Sequence, residues 1–149
     1  MSTLYERIGG HEGILRLIKP FYADVRQHAR LGSIFNAQIH DWPAHMEKIT
    51  EFWARQMGGP SRYQGGFAAA HFRVNQKLAE AYPTGTTPPT AGATSGLRDE
   101  HFAQWLNLWD FNCQRQLPPT EAAEASQLAH RVGGQLRRII TGHPGLQIQ

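Results

Sequence analysis

Along most of this chain the apolar residues recur at helical spacing, and no segment shows the alternation of a half-buried strand. The stretch "DWPAHMEKITEFW", residues 41–53, is typical. Asp41 suits a helix N-cap and Pro43 its first turn. At about 100° per residue, Trp42, Met46, Ile49, Phe52 and Trp53 share one face, while Glu47, Glu51 and Arg55 take the other. The spacing predicts a helix over 41–57, stopped by Gly58-Gly59-Pro60. One residue breaks the pattern, since His45 sits inside the apolar stripe.

The same reading places the other elements. "STLYERIGG" predicts a short helix, with Thr3 and Glu6 in capping-box spacing and Gly9-Gly10 at its end. "HEGILRLIKPFYADVRQHA" predicts a long helix with Ile14, Ile18, Phe21, Tyr22 and Val25 on one face, and Pro20 is expected to kink it. "LGSIFN" reads as a short helical turn. "GGPSRYQGGFAAA", residues 58–70, reads mostly as a loop, with His71 directly after it. "PTGTTPPTAGATSG", residues 83–96, has no large apolar side chain and is expected to be a flexible surface insertion. "LRDEHFAQWLNLWDFNCQRQL" predicts a helix whose apolar face holds Phe102, Trp105, Leu106, Trp109 and Cys113. After Pro118-Pro119-Thr120, "EAAEASQLAHRVGGQLRRII" predicts the last helix, weakened by Gly133-Gly134. The expected fold is all-α, five or so helices around one core, in one domain over 1–149.

Composition narrows the function classes. A chain of 149 residues can bury a real core, and 40% apolar against 18% charged residues is ordinary for a globular domain. The 15 Lys+Arg and 12 Asp+Glu leave a net charge of +3. The basic residues are scattered and not interleaved with aromatics, which argues against nucleic-acid binding. The single cysteine, Cys113, rules out an intrachain disulfide and fits a reducing compartment. No apolar run approaches the ~20 residues of a membrane span, and "MSTLYERIGG" lacks a leader's basic start and apolar middle, so a cytoplasmic protein is expected.

Eight histidines make metal or haem the first chemistry to weigh. There is no HExxH, CxxC or His-x-His for zinc, no GxSxG nucleophile turn and no phosphate-binding glycine loop. Haem asks for less: one axial imidazole, a flat apolar cleft and a few polar groups on its open side. Taken singly, His71 reads as a surface-loop histidine, His45 as a core-edge histidine, and Tyr22 and Trp105 as core aromatics. Their order along the chain changes that reading.

"PFYADVRQHARLGSIFN", "DWPAHMEKITEFW", "AAAHF" and "HFAQWLNLW" follow one another in a sequence that resembles the truncated haemoglobins, most closely their third group. The similarity runs from about Leu4 to about Ile140, interrupted at 82–96. It implies a two-over-two helical sandwich enclosing haem b. His71 matches the proximal histidine that binds iron. Tyr22 matches the distal tyrosine whose hydroxyl donates to bound oxygen. His45 and Ile49 match distal-helix positions over the ligand, and Trp105 the tryptophan whose indole N–H points at it. Phe35 matches the phenylalanine wedged against the haem ring. Phe21, Phe52, Trp53 and Phe72 are expected to line the haem cleft or its backing core.

The resemblance implies a protein that binds dioxygen, nitric oxide, carbon monoxide or similar ligands at a five-coordinate iron, whether for oxygen transport, scavenging or catalysis. Many donors around one ligand favour slow oxygen release, which suits redox chemistry. Nitric oxide dioxygenation and a peroxidase-like reaction are the enzymatic options, and turnover then draws electrons from an external reductase. Two roles for His45 stay open: an iron ligand itself, or a gate. The rival from another class is a cofactor-free helical interaction module, which would purify colourless.

Overall fold

The computed structural model describes residues 2–65 and 99–141. Those residues form six helices: α1 (Leu4–Arg7), α2 (Gly10–Gln27), α3 (Leu31–Gln38), α4 (Trp42–Gln56), α5 (Asp99–Gln116) and α6 (Pro119–Thr141). The all-α expectation holds for this part of the chain. The expected insertion at 83–96 lies outside the described residues.

Local chemistry accounts for where the helices begin. The Thr3 hydroxyl accepts from the Glu6 amide while the Glu6 carboxylate accepts from the Thr3 amide, closing the capping box. Asp41 accepts from the Ala44 amide at 3.1 Å and opens α4, with Pro43 in the first turn. At α3 the cap is an imidazole: His28 Nδ1 accepts from the amides of Arg30 and Leu31 at 3.1 and 3.2 Å. Those are two of the donors that a helix start leaves without an intrahelical partner. At the far end of α4 the "GGP" signal has a steric basis. Gly58 adopts φ +88°, and a Cβ on Gly59 would run into the Tyr5 ring.

Two expected weak points are absorbed by the fold. Helix α2 continues through Pro20 to Gln27, and α6 continues through Gly133-Gly134 to Thr141. Tertiary packing outweighs these local penalties. Along α2, Ile14, Leu17, Ile18, Phe21, Tyr22 and Val25 are all buried. Gly133 is itself buried against Leu106 of α5.

Helix α2 is the central element, packed on α3, α4 and α5, while α5 and α6 form the most extensive pair. The core between them is aromatic. Phe21 from α2, Phe52 and Trp53 from α4, and Trp109 from α5 lie with the aliphatic residues of α2 and the alanines of α6. Trp109 Nε1–H donates to the Ala125 carbonyl at 3.0 Å and ties α5 to α6 through a buried bond. At the surface Arg7 grips Glu121 and Glu124, linking α1 to α6.

Candidate functional site

Helix α2 delivers Tyr22 to a site framed by α3, α4 and α5. Four successive apolar residues of one α2 face precede it, so its ring is drawn inward with them and is only 5% exposed. Burial alone pushes its phenol well above the ordinary tyrosine range. The side chain therefore remains an O–H donor across ordinary pH.

His45 arrives one turn into α4, and its ring meets Tyr22 edge-on at 5.5 Å. Trp42, one turn earlier on the same face, packs edge-on against His45 at 5.5 Å and tilts against Tyr22 at 5.9 Å. The outer face of Trp42 carries the Arg26 guanidinium, 4.4 Å from the ring centre. Phe35 comes from α3, 6.2 Å from Tyr22. Its approach depends on how α3 is held. His28 caps the helix, Arg30 pairs with Glu100 of α5 at 2.6 Å, and Asn36 exchanges hydrogen bonds with the Arg26 side chain and backbone.

Phe21 packs edge-on against Tyr22 at 4.8 Å and against Trp105 at 5.5 Å, so it joins the tyrosine to α5. Phe35, Trp42, Met46, Ile49 and Trp105 are each half-buried and packed against the core. Together they make an open apolar wall beside a buried hydroxyl donor and an imidazole. Such a surface suits a flat apolar ligand that carries a polar centre.

Of the residues singled out in the sequence, Tyr22 meets both Phe35 and His45, and Trp105 is joined to Tyr22 through Phe21. Ile49 lies one turn beyond His45, half-buried. Phe52 and Trp53 are buried at 5% and 1% exposure, with Trp53 stacked 4.4 Å from Trp109. His71 and Phe72 lie outside the described residues. Trp42 gained no role from the sequence beyond its place in the apolar stripe. Its position three residues before His45 was the available signal, but which residue it faces depends on where α2 lies.

A second polar cluster went unread. His11 Nε2 meets the Glu51 carboxylate at 3.0 Å, and the Tyr5 hydroxyl bonds to His11 Nδ1. A carboxylate can only accept, so Nε2 carries the proton and Nδ1 accepts from the phenol. Glu51 also accepts from the Arg62 amide at 2.7 Å, and its own carbonyl accepts from Ser61 Oγ at 2.5 Å. The Arg62 amide first, then the neighbouring His11 ring and Arg62 side chain, hold the Glu51 carboxyl below its usual range. Among the described residues no three His, Cys, Asp or Glu side chains gather as a metal site. No described helix is long and apolar enough to cross a membrane.

Comparison with known proteins bears on this arrangement. The family model for bacterial-like globins matches residues 3–81. A group 3 truncated haemoglobin of Campylobacter jejuni is 40% identical over 58 residues, 36% of this chain and 46% of that protein. That match therefore spans about half the length of the relative. A group 1 truncated haemoglobin of Mycolicibacterium paratuberculosis is 30% identical over 115 residues, 66% of this chain and 83% of that protein. Among solved structures, the group III truncated haemoglobin from Campylobacter jejuni superposes with a TM-score of 0.69 at 24% identity, covering 88% of this chain and 91% of the other. The 2/2 haemoglobin of a Synechococcus species, solved with covalently attached haem, gives 0.69 at 21% identity, covering 95% and 99%. At these identities the likeness establishes the two-over-two helical fold.

Proposed function

Because this chain belongs to the bacterial-like globin family and has the fold of the truncated haemoglobins, we propose that it binds haem b through His71 and holds a diatomic ligand against Tyr22. The observation that carries the reading is the buried Tyr22 hydroxyl, kept protonated by its surroundings and set among Phe35, Trp42 and His45. The half-open wall of Phe35, Met46, Ile49 and Trp105 fits the face of a porphyrin, which needs apolar contact and few donors. Bound haem supplies the iron to which dioxygen, nitric oxide or carbon monoxide attaches.

The chain's own residues act on that ligand by hydrogen bonding. The Tyr22 hydroxyl donates, and the Trp105 indole N–H and the His45 imidazole are further donors on the same side. Each such bond to a partly charged acceptor contributes roughly 1–3 kcal/mol. A ligand held this way leaves slowly, which favours redox chemistry such as nitric oxide dioxygenation, fed by an external reductase, over transport. His45 would stand beside the bound ligand as a donor or a gate.

The test is haem retention. Chain expressed with haem is expected to purify coloured with a Soret band. His71→Gly is expected to lose most of it and to regain it in added imidazole, which replaces the deleted ligand. Full haem content and an unchanged ferrous spectrum in His71→Gly would falsify the assignment. A colourless wild-type protein would return the reading to a cofactor-free helical module.

A further inference from the structure

Three of the chain's four tryptophans lie close together with near-parallel rings. Trp53 of α4 and Trp109 of α5 are 4.4 Å apart with planes 26° from parallel. Trp105 is 6.0 Å from Trp109 at 16° and 6.5 Å from Trp53 at 18°. The other described aromatic pairs, such as Tyr22–Trp42 at 57° and Tyr22–His45 at 86°, are tilted or edge-on. Edge-on contact fills a core as well as stacking does. Trp53 and Trp109 are close enough for a positive charge on one ring to be shared with the other, and Trp105 lies a short electron-transfer step from both.

The stack has two ends. At the inner end, half-buried Trp105 touches Phe21, which touches Tyr22. At the outer end, Trp53 meets Phe52 at 5.0 Å and Phe52 meets Tyr63 at 5.2 Å. Tyr63 is half-buried in the irregular stretch after α4, where the Arg55 guanidinium donates to its carbonyl at 3.0 Å. The chemistry of the two ends differs. Trp109 is fully buried and its N–H donates to the Ala125 carbonyl, which cannot take the proton. An oxidised Trp109 therefore stays cationic, strengthening that hydrogen bond. A charge buried this deeply is costly and should move on. A phenol can release its proton together with the electron, so Tyr63 is the natural terminus.

We propose that Trp105, Trp109 and Trp53 relay oxidising equivalents from the Tyr22–His45 pocket to Tyr63, so that a small phenolic reductant is oxidised at the protein surface. The proposal rests on the haem reading above. The oxidant is hydrogen peroxide, which takes up two electrons and two protons to give two waters. One electron is drawn from the haem and one from Trp105. Trp109 or Trp53 refills Trp105, and Tyr63 refills the stack, giving up its phenolic proton as its electron leaves. A hydrogen atom from one phenol restores Tyr63, and an electron and proton from a second restore the haem. In sum, one peroxide and two phenols become two waters and two phenoxyl radicals.

The experiment treats haem-loaded protein with hydrogen peroxide and a nitroso spin trap, then maps adducts by peptide mass spectrometry. Yields are counted per haem and per peroxide consumed. Wild-type protein is expected to carry its main adduct on Tyr63. In Trp53→Phe that adduct is expected to fall at least about tenfold, the change produced by ~1.4 kcal/mol of added barrier, with oxidation accumulating at Trp105. Should Trp53→Phe fail to fold, Tyr63→Phe carries the test, because it removes only a hydroxyl. It is expected to shift the adducts onto the tryptophans. An undiminished Tyr63 adduct in Trp53→Phe, unchanged tryptophan adducts in Tyr63→Phe, or no Tyr63 adduct in haem-loaded wild type overturns the relay alone. A chain that takes up no haem overturns the haem reading, and the relay with it.

Discussion

At the scale of the residue, Tyr22 shows how burial turns an ordinary side chain into a dependable donor. Desolvation favours its neutral form, so its phenol titrates well above the usual range. The folded state then holds a proton that the unfolded chain releases near pH ~10. Stability is expected to fall as pH climbs past that value, and Tyr22→Phe should flatten the decline in a thermal-melt series. The same substitution keeps the ring and deletes only the donor. Losing one bond of ~2 kcal/mol should speed oxygen release roughly thirtyfold, with carbon monoxide much less affected. Adding Trp105→Phe should give a non-additive effect if both donors serve one ligand. Stopped-flow release rates that stay at the wild-type value in the single and the double variant would reduce both residues to packing.

At the scale of the element, one carboxylate anchors the chain that leaves α4. Glu51 accepts from the Arg62 amide and meets the His11 ring, while Ser61 bonds to its carbonyl. Residues 61–62 are thereby strapped back onto the helix they follow, and α4 is joined to the start of α2. The Glu51 carboxyl is held below its usual range, chiefly by the Arg62 amide. Its contribution is therefore complete above the ordinary carboxylate range. It is lost as pH falls through the depressed value, where the folded state must take up a proton. Glu51→Gln should cost about 1 kcal/mol near neutral pH. The melting curves of the variant and the wild type should converge in acid. Curves that run parallel at every pH would show that the charge contributes nothing.

At the scale of the whole molecule, the two halves of the sandwich meet on Trp109. Its ring stacks on Trp53 of α4 and packs edge-on to Phe21 of α2, and its N–H reaches α6. Trp109→Phe leaves a void and deletes the buried hydrogen bond to the Ala125 carbonyl. It should destabilise the fold by about 2–3 kcal/mol. Chemical denaturation is the direct measure, and a loss of under ~0.5 kcal/mol would show that the site repacks without that bond.

Much of the architecture was written in one-dimensional pattern. The stripe Ile14, Ile18, Phe21, Tyr22, Val25 is buried as its spacing predicts, because a helix maps sequence period directly onto a face. The caps at Thr3 and Asp41 are equally local, each closed within three residues. Pro20 and Gly133-Gly134 carry local penalties inside continuous helices, because propensity is local whereas the packing that offsets it is not. The pocket was legible only in part. His45 stood out as an imidazole in an apolar stripe, yet no spacing rule says that it meets Tyr22, or that Trp42 covers both. The His11–Glu51 bond joins residues forty apart, the Trp53–Trp109 stack joins rings on different helices, and Asn112 reaches back to Asp24. Sequence periodicity determines which face each helix buries. Which side chains then meet is decided by how the helices cross, a geometry set by the packing of all the faces together.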